Sequence, residues 1–395
     1  MKETMSSIYE IAKITKVTPS TVSKVLNNRY GVSSKTKEKI LKVIKQYNFS
    51  PKIGVYKESS IGVVLFYTTN FFKSYYVQEI MNGICDTAFK YDLDLNIIPS
   101  FHIQKNIQNL SSYLRKQQIS GLILLHTHRD EPLASIISQE KIPHVVLSNI
   151  FENKKINWIA SNNREGVKEA TQYLIKLGHK RIGFVTGDIN MSDSYERWQG
   201  YIEALKTSHS IITTEERQSG PESSSWKESN SSVIVNKKPH SELVSEYRLS
   251  IQDKLHEKSQ LQIDESLICK SSGYEIEDGY NEVKKLLLLQ NPPTAIITGG
   301  DRLVIGALEA IKERGLNIPY DISLIAAGED NPYFTVTKPQ ISVVKQDLFQ
   351  MGSLAIEKLR DLINSGNSKN SNFQIILDTK FIIRDSITTY KKTNL

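Results

Sequence analysis

Cysteine is almost missing from this chain: there are two in 395 residues, Cys85 and Cys269, and neither has neighbours at metal-ligand spacing. That excludes a disulfide framework and a cysteine-built zinc centre, and a reducing, cytoplasmic setting is the expectation. No stretch approaches 18 consecutive apolar residues and residues 1–6 are polar, so neither a membrane span nor a signal peptide is expected. A Gly-rich phosphate loop, a serine elbow and a plausible Cys-His pair are also missing, which argues against an enzyme and leaves no catalytic residue, metal or cofactor to nominate. Acidic residues are scarce where basic ones crowd. Residues 1–57 hold eleven Lys and one Arg against Glu3, Glu10 and Glu38, a net of +9, whereas the whole chain is +7 and the remaining 338 residues therefore sum to −2. A generally basic protein would spread its charge; here one small module holds all of the excess, as phosphate contact requires. At 39% hydrophobic content the rest is long enough for one or two further domains with a sizeable core.

Residues 7–27 read as two short helices and a tight link. Ser7 with Glu10 three residues later has the form of a capping box, so a helix is predicted from Ile8 that buries Ile8, Ile11 and Ala12. Thr18 can cap a second helix, and Pro19 suits its first position, where a missing N–H costs nothing. Val22, Val25 and Leu26 give that helix one buried stripe, leaving Ser20, Thr21, Ser23, Lys24 and Asn27 for its other faces. Small hydroxyls and one cation on the outer side allow a helix to enter the major groove, where bulky side chains would hold it off the bases. A third helix follows, capped by Ser33 or Ser34, with Ile40, Val43, Ile44 and Tyr47 inward and Lys35, Lys37, Lys39, Lys42 and Lys45 outward.

These residues closely resemble the headpiece of the lactose-repressor (LacI-type) transcription regulators: Ile8-Tyr9-Glu10-Ile11-Ala12-Lys13, then the run from Val17 through Thr18, Pro19 and Ser20 to Asn27, then Gly31-Val32-Ser33 with Thr36-Lys37-Glu38-Lys39-Ile40. The resemblance implies that Pro19, Ser20 and Lys24 face base edges, while Ser7, Tyr9, Thr18, Thr21, Ser23, Asn27, Ser33 and Thr36 mostly hold the phosphate backbone. Lys24 can donate to guanine O6 and N7, and hydroxyls near helix starts fix register without reading sequence. The plainer roles stay open: Thr18 as a cap only, Pro19 as a helix starter, Tyr9 and Tyr47 as packing groups.

From Ile61 onward short β-branched runs alternate with helical segments. Runs at 61–66, 93–98, 121–125, 144–147, 181–185, 294–298, 322–326 and 341–344, with helices such as 77–91, 106–117, 164–177, 279–289 and 303–314, predict parallel α/β sheets with helices on both faces. The family resemblance extends here, through Asn162-Asn163-Arg164-Glu165-Gly166 and Leu177-Gly178-His179-Lys180-Arg181-Ile182-Gly183-Phe184. The implied fold is an all-α, three-helix helix-turn-helix headpiece (1–50), a short hinge (51–60) and an α/β two-lobed domain (61–395). The lobes are doubly wound parallel sheets, as in type I periplasmic binding proteins, with lobe 1 at about 61–160 and 293–324 and lobe 2 at about 161–292 and 325–395.

Two departures from the family pattern stand out. Between Pro51 and Ile61 there is little room for the hinge helix that the family inserts into the minor groove, and no Leu to act as its wedge, so Val55 or Tyr56 would have to take that place. After Leu205 the chain runs through a polar insertion at 207–262; residues 208–239 lack periodicity and are expected to be disordered, whereas Leu243, Tyr247, Ile251 and Leu255 allow a short amphipathic helix.

Ligands of open parallel sheets bind beyond the carboxyl ends of strands. The resemblance nominates Arg197 there as the cation that hydrogen-bonds an effector and Asp301 as its acidic partner from the opposite side; an inter-lobe salt bridge is the plainer reading of that pair. Tyr75 and Tyr76, in an aromatic cluster with Phe66, Tyr67, Phe71 and Phe72, can stack on sugars or nucleobases, although half of that cluster is equally suited to the core. His126, with His128 nearby, and Asn149 follow strands and are candidates for polar contact rather than metal ligation. Glu329 and Asp330 follow the 322–326 run, where relatives often carry paired acids. The implied activity is ligand-responsive, sequence-specific transcription regulation, as a repressor. Its expected partners are a double-stranded palindromic DNA operator, a sugar or related metabolite as effector, and a second copy of the chain in a homodimer, without a membrane. The alternative is a solute-binding sensor lacking regulatory DNA specificity.

Overall fold

The computed structural model describes residues 7–26, 31–47, 60–66, 73–153, 155–215, 263–365 and 372–390, with side chains of 155–215 described up to 207. Asn27, Phe71 and Phe72, the 51–59 linker and the bulk of the insertion, with its expected helix near 243–255, lie outside these residues.

Three helices form the headpiece: α1 (Ile8–Thr15), α2 (Pro19–Leu26) and α3 (Ser34–Gln46). Their core is Ile11, Ala12, Val22, Val25 and Ile40, with Ile8, Val17, Leu26, Val32, Val43 and Ile44 packed around it. Each fully buried aliphatic side chain contributes about 1.5–3 kcal/mol, so a handful suffices for so small a unit. Caps fix the helix starts. The Thr21 N–H donates to Thr18 Oγ1 at 3.2 Å and the Thr36 N–H to Ser33 Oγ at 3.3 Å. Ser7 occupies the N-cap position of α1 in extended conformation but makes no side-chain capping bond, so the expected capping box is not formed.

The larger part holds two six-stranded sheets. The first has β1 (Ser60–Leu65), β2 (Leu95–Pro99), β3 (Ile119–Leu125), β4 (His144–Leu147), β5 (Trp158–Ser161) and β11 (Gln374–Leu377), in the order β11-β5-β4-β3-β1-β2. The second has β6 (Ile182–Val185), β7 (Ile268–Cys269), β8 (Ala295–Thr298), β9 (Ser323–Gly328), β10 (Ser342–Lys345) and β12 (Lys380–Ile382), in the order β12-β10-β9-β8-β6-β7. Leaving the last strand of each aside, both follow the doubly wound order 2-1-3-4-5. All neighbours are parallel except β10 and β12. Central strands are buried on both faces, which is why they read as unbroken apolar runs.

Helices cover both faces of each sheet. On the first sheet, α4 (Tyr75–Lys90) and α13 (Leu348–Asn364) pack on one face, and α5 (Ser100–Lys105), α6 (Leu110–Lys116) and α7 (Pro132–Gln139) on the other. On the second, α8 (Asn163–Lys176) and α9 (Ser192–Glu215) lie opposite α10 (Ile276–Leu287), α11 (Asp301–Glu313) and α12 (Tyr333–Val336). Helix α4 crosses α13 so closely that a Cβ on Gly83 would run into the Phe349 carbonyl and one on Gly352 into that of Ile80.

Sheet membership corrects the expected lobe division. Strands β8 and β9, within 293–324 and just beyond it, hydrogen-bond in the second sheet beside β6, not in the first. Conversely α13 and β11, placed by the sequence in the second lobe, return to the first. Among the described residues the chain thus crosses between lobes three times: after β5, between β10 and α13, and at Asp378-Thr379 between β11 and β12. A second correction concerns the insertion, because the helical backbone of α9 continues to Glu215, past the expected boundary at Thr207.

Candidate functional site

Two surfaces gather the candidate side chains. On the headpiece, α2 turns Val22 and Val25 into the core, and helical geometry then sends Ser20 and Lys24, one turn apart, to the opposite, exposed face. Pro19, Thr21 and Ser23 are half-buried beside them, while Thr18 and Ser33 are exposed at the helix starts. Thr18 and Thr21 also share a hydroxyl hydrogen bond of 2.9 Å, and Ser33 and Thr36 one of 2.8 Å, so these side chains are oriented as well as capping. Tyr9 is 69% exposed, which removes its reading as a core group. Ser7 is half-buried at the start of α1, and Lys35, Lys39 and Lys42 are exposed along α3.

The second surface lies between the lobes, where the carboxyl ends of the two sheets meet. From the first lobe come Tyr75 and Tyr76 at the start of α4, His126 after β3, and Ser148 and Asn149 after β4. From the second come Asp193 and Arg197 on α9, Tyr274 after β7, Asp301 at the start of α11 and Glu329 after β9. The His126 ring lies 6.1 Å from Tyr76 and 6.3 Å from Tyr274, and so bridges the two walls. Burial, with His128 adding to it, holds His126 down at about 4, so its imidazole is neutral at ordinary pH. One rim is closed by direct contact: His128 forms an antiparallel bridge with Met191, the Arg129 N–H donates to the Asn190 carbonyl at 2.9 Å, and the Arg129 guanidinium lies 3.5 Å over the Tyr195 ring.

Arg197 is 2% exposed and organises the second wall. Its Nε donates to Asn163 Oδ1 at 3.0 Å and its Nη1 to the Gly299 carbonyl at 2.7 Å. Asn163 passes the connection on, donating to Asp193 Oδ1 at 2.9 Å and to Gln346 Oε1 at 3.3 Å. Asn163 stands where the chain first crosses between lobes and Gln346 where it crosses back, so the cleft floor is also the hinge.

The expected arrangement of Arg197 and Asp301 is corrected here. They belong to the same lobe, since β6 and β8, which precede them, are neighbours in one sheet, and no inter-lobe salt bridge joins them. Asp301 is instead tied to its own side: its N–H donates to Glu329 Oε2 at 3.0 Å and its Oδ2 accepts from Asn331 at 2.9 Å. Burial raises the Asp301 carboxyl, and burial together with the Asp301 charge pushes Glu329 up to about 8, opposed by Arg197. Burial likewise lifts Asp193 to about 6 against the pull of Arg197. The hydroxyls of Tyr76 and Tyr274 are also raised by burial, with Asp193 contributing to both. Across the cleft, burial raises Tyr75, with Glu79, Asp330 and Asp301 adding to it.

Asn149 is fully buried and supports the loop rather than the cleft surface, donating to Thr127 Oγ1 at 2.8 Å and to the His128 carbonyl at 2.6 Å. Asp330 departs from Glu329, forming a two-oxygen ion pair with Arg384. Sequence reasoning passed over Asp193, Asn163, Gln346 and Tyr274. The available signals were the Asp193–Arg197 spacing of one helical turn and the place of Asn163 in the Asn162-to-Gly166 motif. Among the described residues no three His, Cys, Asp or Glu side chains group as a metal site, and no helix is long and apolar enough to cross a membrane.

Comparison with known proteins follows the same division. Residues 7–52 match the model of bacterial regulatory proteins of the lacI family, 58–218 that of the periplasmic binding proteins and sugar binding domain of the LacI family, and 236–387 a periplasmic binding protein-like domain. The probable HTH-type transcriptional repressor ExuR of Bacillus subtilis is 27% identical over 391 residues, covering 97% of this chain and 98% of that one. The ribose operon repressor of Haemophilus influenzae is 26% identical, covering 98% of this chain and all of its own. Among solved structures, a complex of the transcriptional regulator CelR with cellobiose shares the fold with a TM-score of 0.63 at 20% identity, over 97% of this chain and all of that one. The lac repressor dimer bound to operator and the anti-inducer ONPF does so with a TM-score of 0.61 at 18% identity, over 97% of this chain and 99% of that one.

Proposed function

This chain belongs to the LacI family of bacterial regulatory proteins, and on that premise we propose that it is a ligand-responsive repressor that binds a palindromic operator as a homodimer and takes a small sugar-like effector in its inter-lobe cleft. The observation that carries the reading is the outer face of α2, where Ser20 and Lys24 stand exposed one turn apart while Val22 and Val25 are locked inside. Lys24 reads guanine edges; Thr18, Thr21, Ser33 and Thr36, with Ser7, Tyr9, Ser23 and Asn27, hold phosphates and set the register. Two such heads related by a two-fold axis suit two half-sites. In the cleft Arg197, Asp301, Tyr75, Tyr76 and His126 line the effector, and Asn149 fixes the His128 loop. The relatives point the same way: two are named as repressors, and solved neighbours hold cellobiose in one case and operator DNA in another.

A double dissociation tests this. DNA is selected from a random pool with the full chain, and binding to the recovered site is measured for Lys24→Ala and Arg197→Ala. Lys24→Ala is expected to lose about 1–3 kcal/mol of discrimination at one base position while still answering to effector, and Arg197→Ala to bind the site normally but lose the response. Unchanged selectivity across single-base operator variants in the first, or a normal effector response in the second, refutes the corresponding half.

A further inference from the structure

Charge in the cleft is out of balance. Three carboxyl groups, Asp193, Asp301 and Glu329, gather on this wall, and Asp193 and Glu329 share the pull of one guanidinium, that of Arg197, whose Nε and Nη1 are already committed to Asn163 and Gly299. Arg302 lends part of its charge to Asp301 while also pairing with Glu275, and Arg384 is held by Asp330. Burying unmatched negative charge is costly, and a protein relieves the cost by protonating the acids or by receiving a cation. Burial raises all three carboxyls, Glu329 furthest, so each gains from a positive partner.

A second observation points to an occupant. Gln346 is 3% exposed and its Oε1 accepts from Asn163, yet its Nε2 has no hydrogen-bond partner. Thr298 Oγ1, fully buried at the carboxyl end of β8 next to Gly299, has none either. Buried donors and acceptors are rarely left unpaired, and both lie beside the groups that surround Arg197. The flanking walls suit a cation as well. Tyr76 and Tyr274 flank His126 with aromatic rings, and the imidazole between them is uncharged.

Resting on the cleft being the effector site, we propose that its ligand is a polyhydroxylated amine, an amino sugar in chemical class. Its ammonium group meets Asp301 and Glu329 and its hydroxyls meet Gln346 and Thr298. Carboxylated and phosphorylated sugars are rejected, because they would set a further negative charge beside carboxyl groups that already crowd one another.

The test is calorimetry on the full chain with matched probes: glucosamine, galactosamine and mannosamine, their parent hexoses, their N-acetyl forms, the corresponding uronates and the hexose 6-phosphates. The expected result is that at least one hexosamine binds tenfold or more tightly than both its parent hexose and its N-acetyl form, with no binding of the anionic sugars. Asp301→Asn and Glu329→Gln, which keep shape and hydrogen bonding, are expected to abolish that preference. A neutral sugar bound as tightly as the amine, an anionic sugar bound at all, or no hexosamine bound overturns the proposal. Arg197→Ala separates this from the broader reading. If a neutral or anionic sugar binds and the variant abolishes that binding, the cleft stands as the effector site and only the amine preference falls. If the variant binds as before, the cleft is not the site.

Discussion

The Glu329→Gln substitution gives the cleft electrostatics a stability readout that needs no ligand. Glu329 accepts from the Asp301 N–H, a contact Gln can preserve, but only Glu can ionise. Its carboxyl is lifted from the ordinary 4.5 to about 8, first by burial and then by Asp301. A carboxyl raised in the folded state binds its proton more tightly there than in the unfolded chain, so stability from this group is complete below pH 4.5 and is lost as pH climbs through 8. At about 1.4 kcal/mol for each pH unit separating the folded from the unfolded titration, the full window is worth on the order of 3–5 kcal/mol. For a cooperative unit of roughly 150–250 residues each kcal/mol moves Tm by about 2–4 °C, so a gap of at least about 5 °C is expected. Differential scanning calorimetry on both proteins from pH 4.5 to 8.5 measures it. His126 titrates in part of the same range in both proteins and cancels in the difference, whereas Asp193 and Asp301 interact with Glu329, so the difference reports Glu329 together with its effect on them. The Tm of Glu329→Gln minus that of the parent is expected to rise steadily with pH; a gap that stays constant, or that narrows toward pH 8, refutes the reasoning.

Two further substitutions probe the frame around the site. Arg129→Ala removes the guanidinium from the Tyr195 ring but leaves the backbone bridge between His128 and Met191; a lost cation–π contact of about 0.5–1.4 kcal/mol should open the rim and weaken effector binding about two- to tenfold. Small-angle scattering together with calorimetry checks this, and an unchanged radius of gyration with unchanged affinity counts against a latch. Gly83→Ala drives a methyl group into the Phe349 carbonyl where α4 crosses α13, so a loss of about 1–3 kcal/mol is expected in denaturant unfolding; a neutral result means that the two helices can separate freely.

How much of this was legible in the sequence depended on how far apart in the chain the deciding contacts lie. The headpiece was readable because Ile11, Val22 and Ile40 meet within 30 residues, and the caps at Thr18 and Ser33 are local chemistry. Ser7 failed as a cap although its local pattern was the most familiar, because Ser-x-x-Glu spacing permits the bond without compelling it. In the lobes most strands and helices begin and end close to where apolar periodicity placed them; α8 covers Asn163–Lys176 where 164–177 was expected. Sheet membership was not readable, since a strand's own residues do not state its neighbours. The apolar stripe of α13, with Leu348, Met351, Ala355, Ile356, Leu359 and Leu362, is as regular as any in the chain, yet nothing in it says that the helix returns to cover the first sheet. That one ambiguity moved Asp301 to the wrong wall. Once β8 is paired beside β6, Arg197 and Asp301 stop being two jaws of a clamp and become parts of a single acidic wall. What faces them from the first lobe is then aromatic and uncharged, Tyr76 and His126, so the cleft is asymmetric, with its charged groups on one side and aromatic rings on the other.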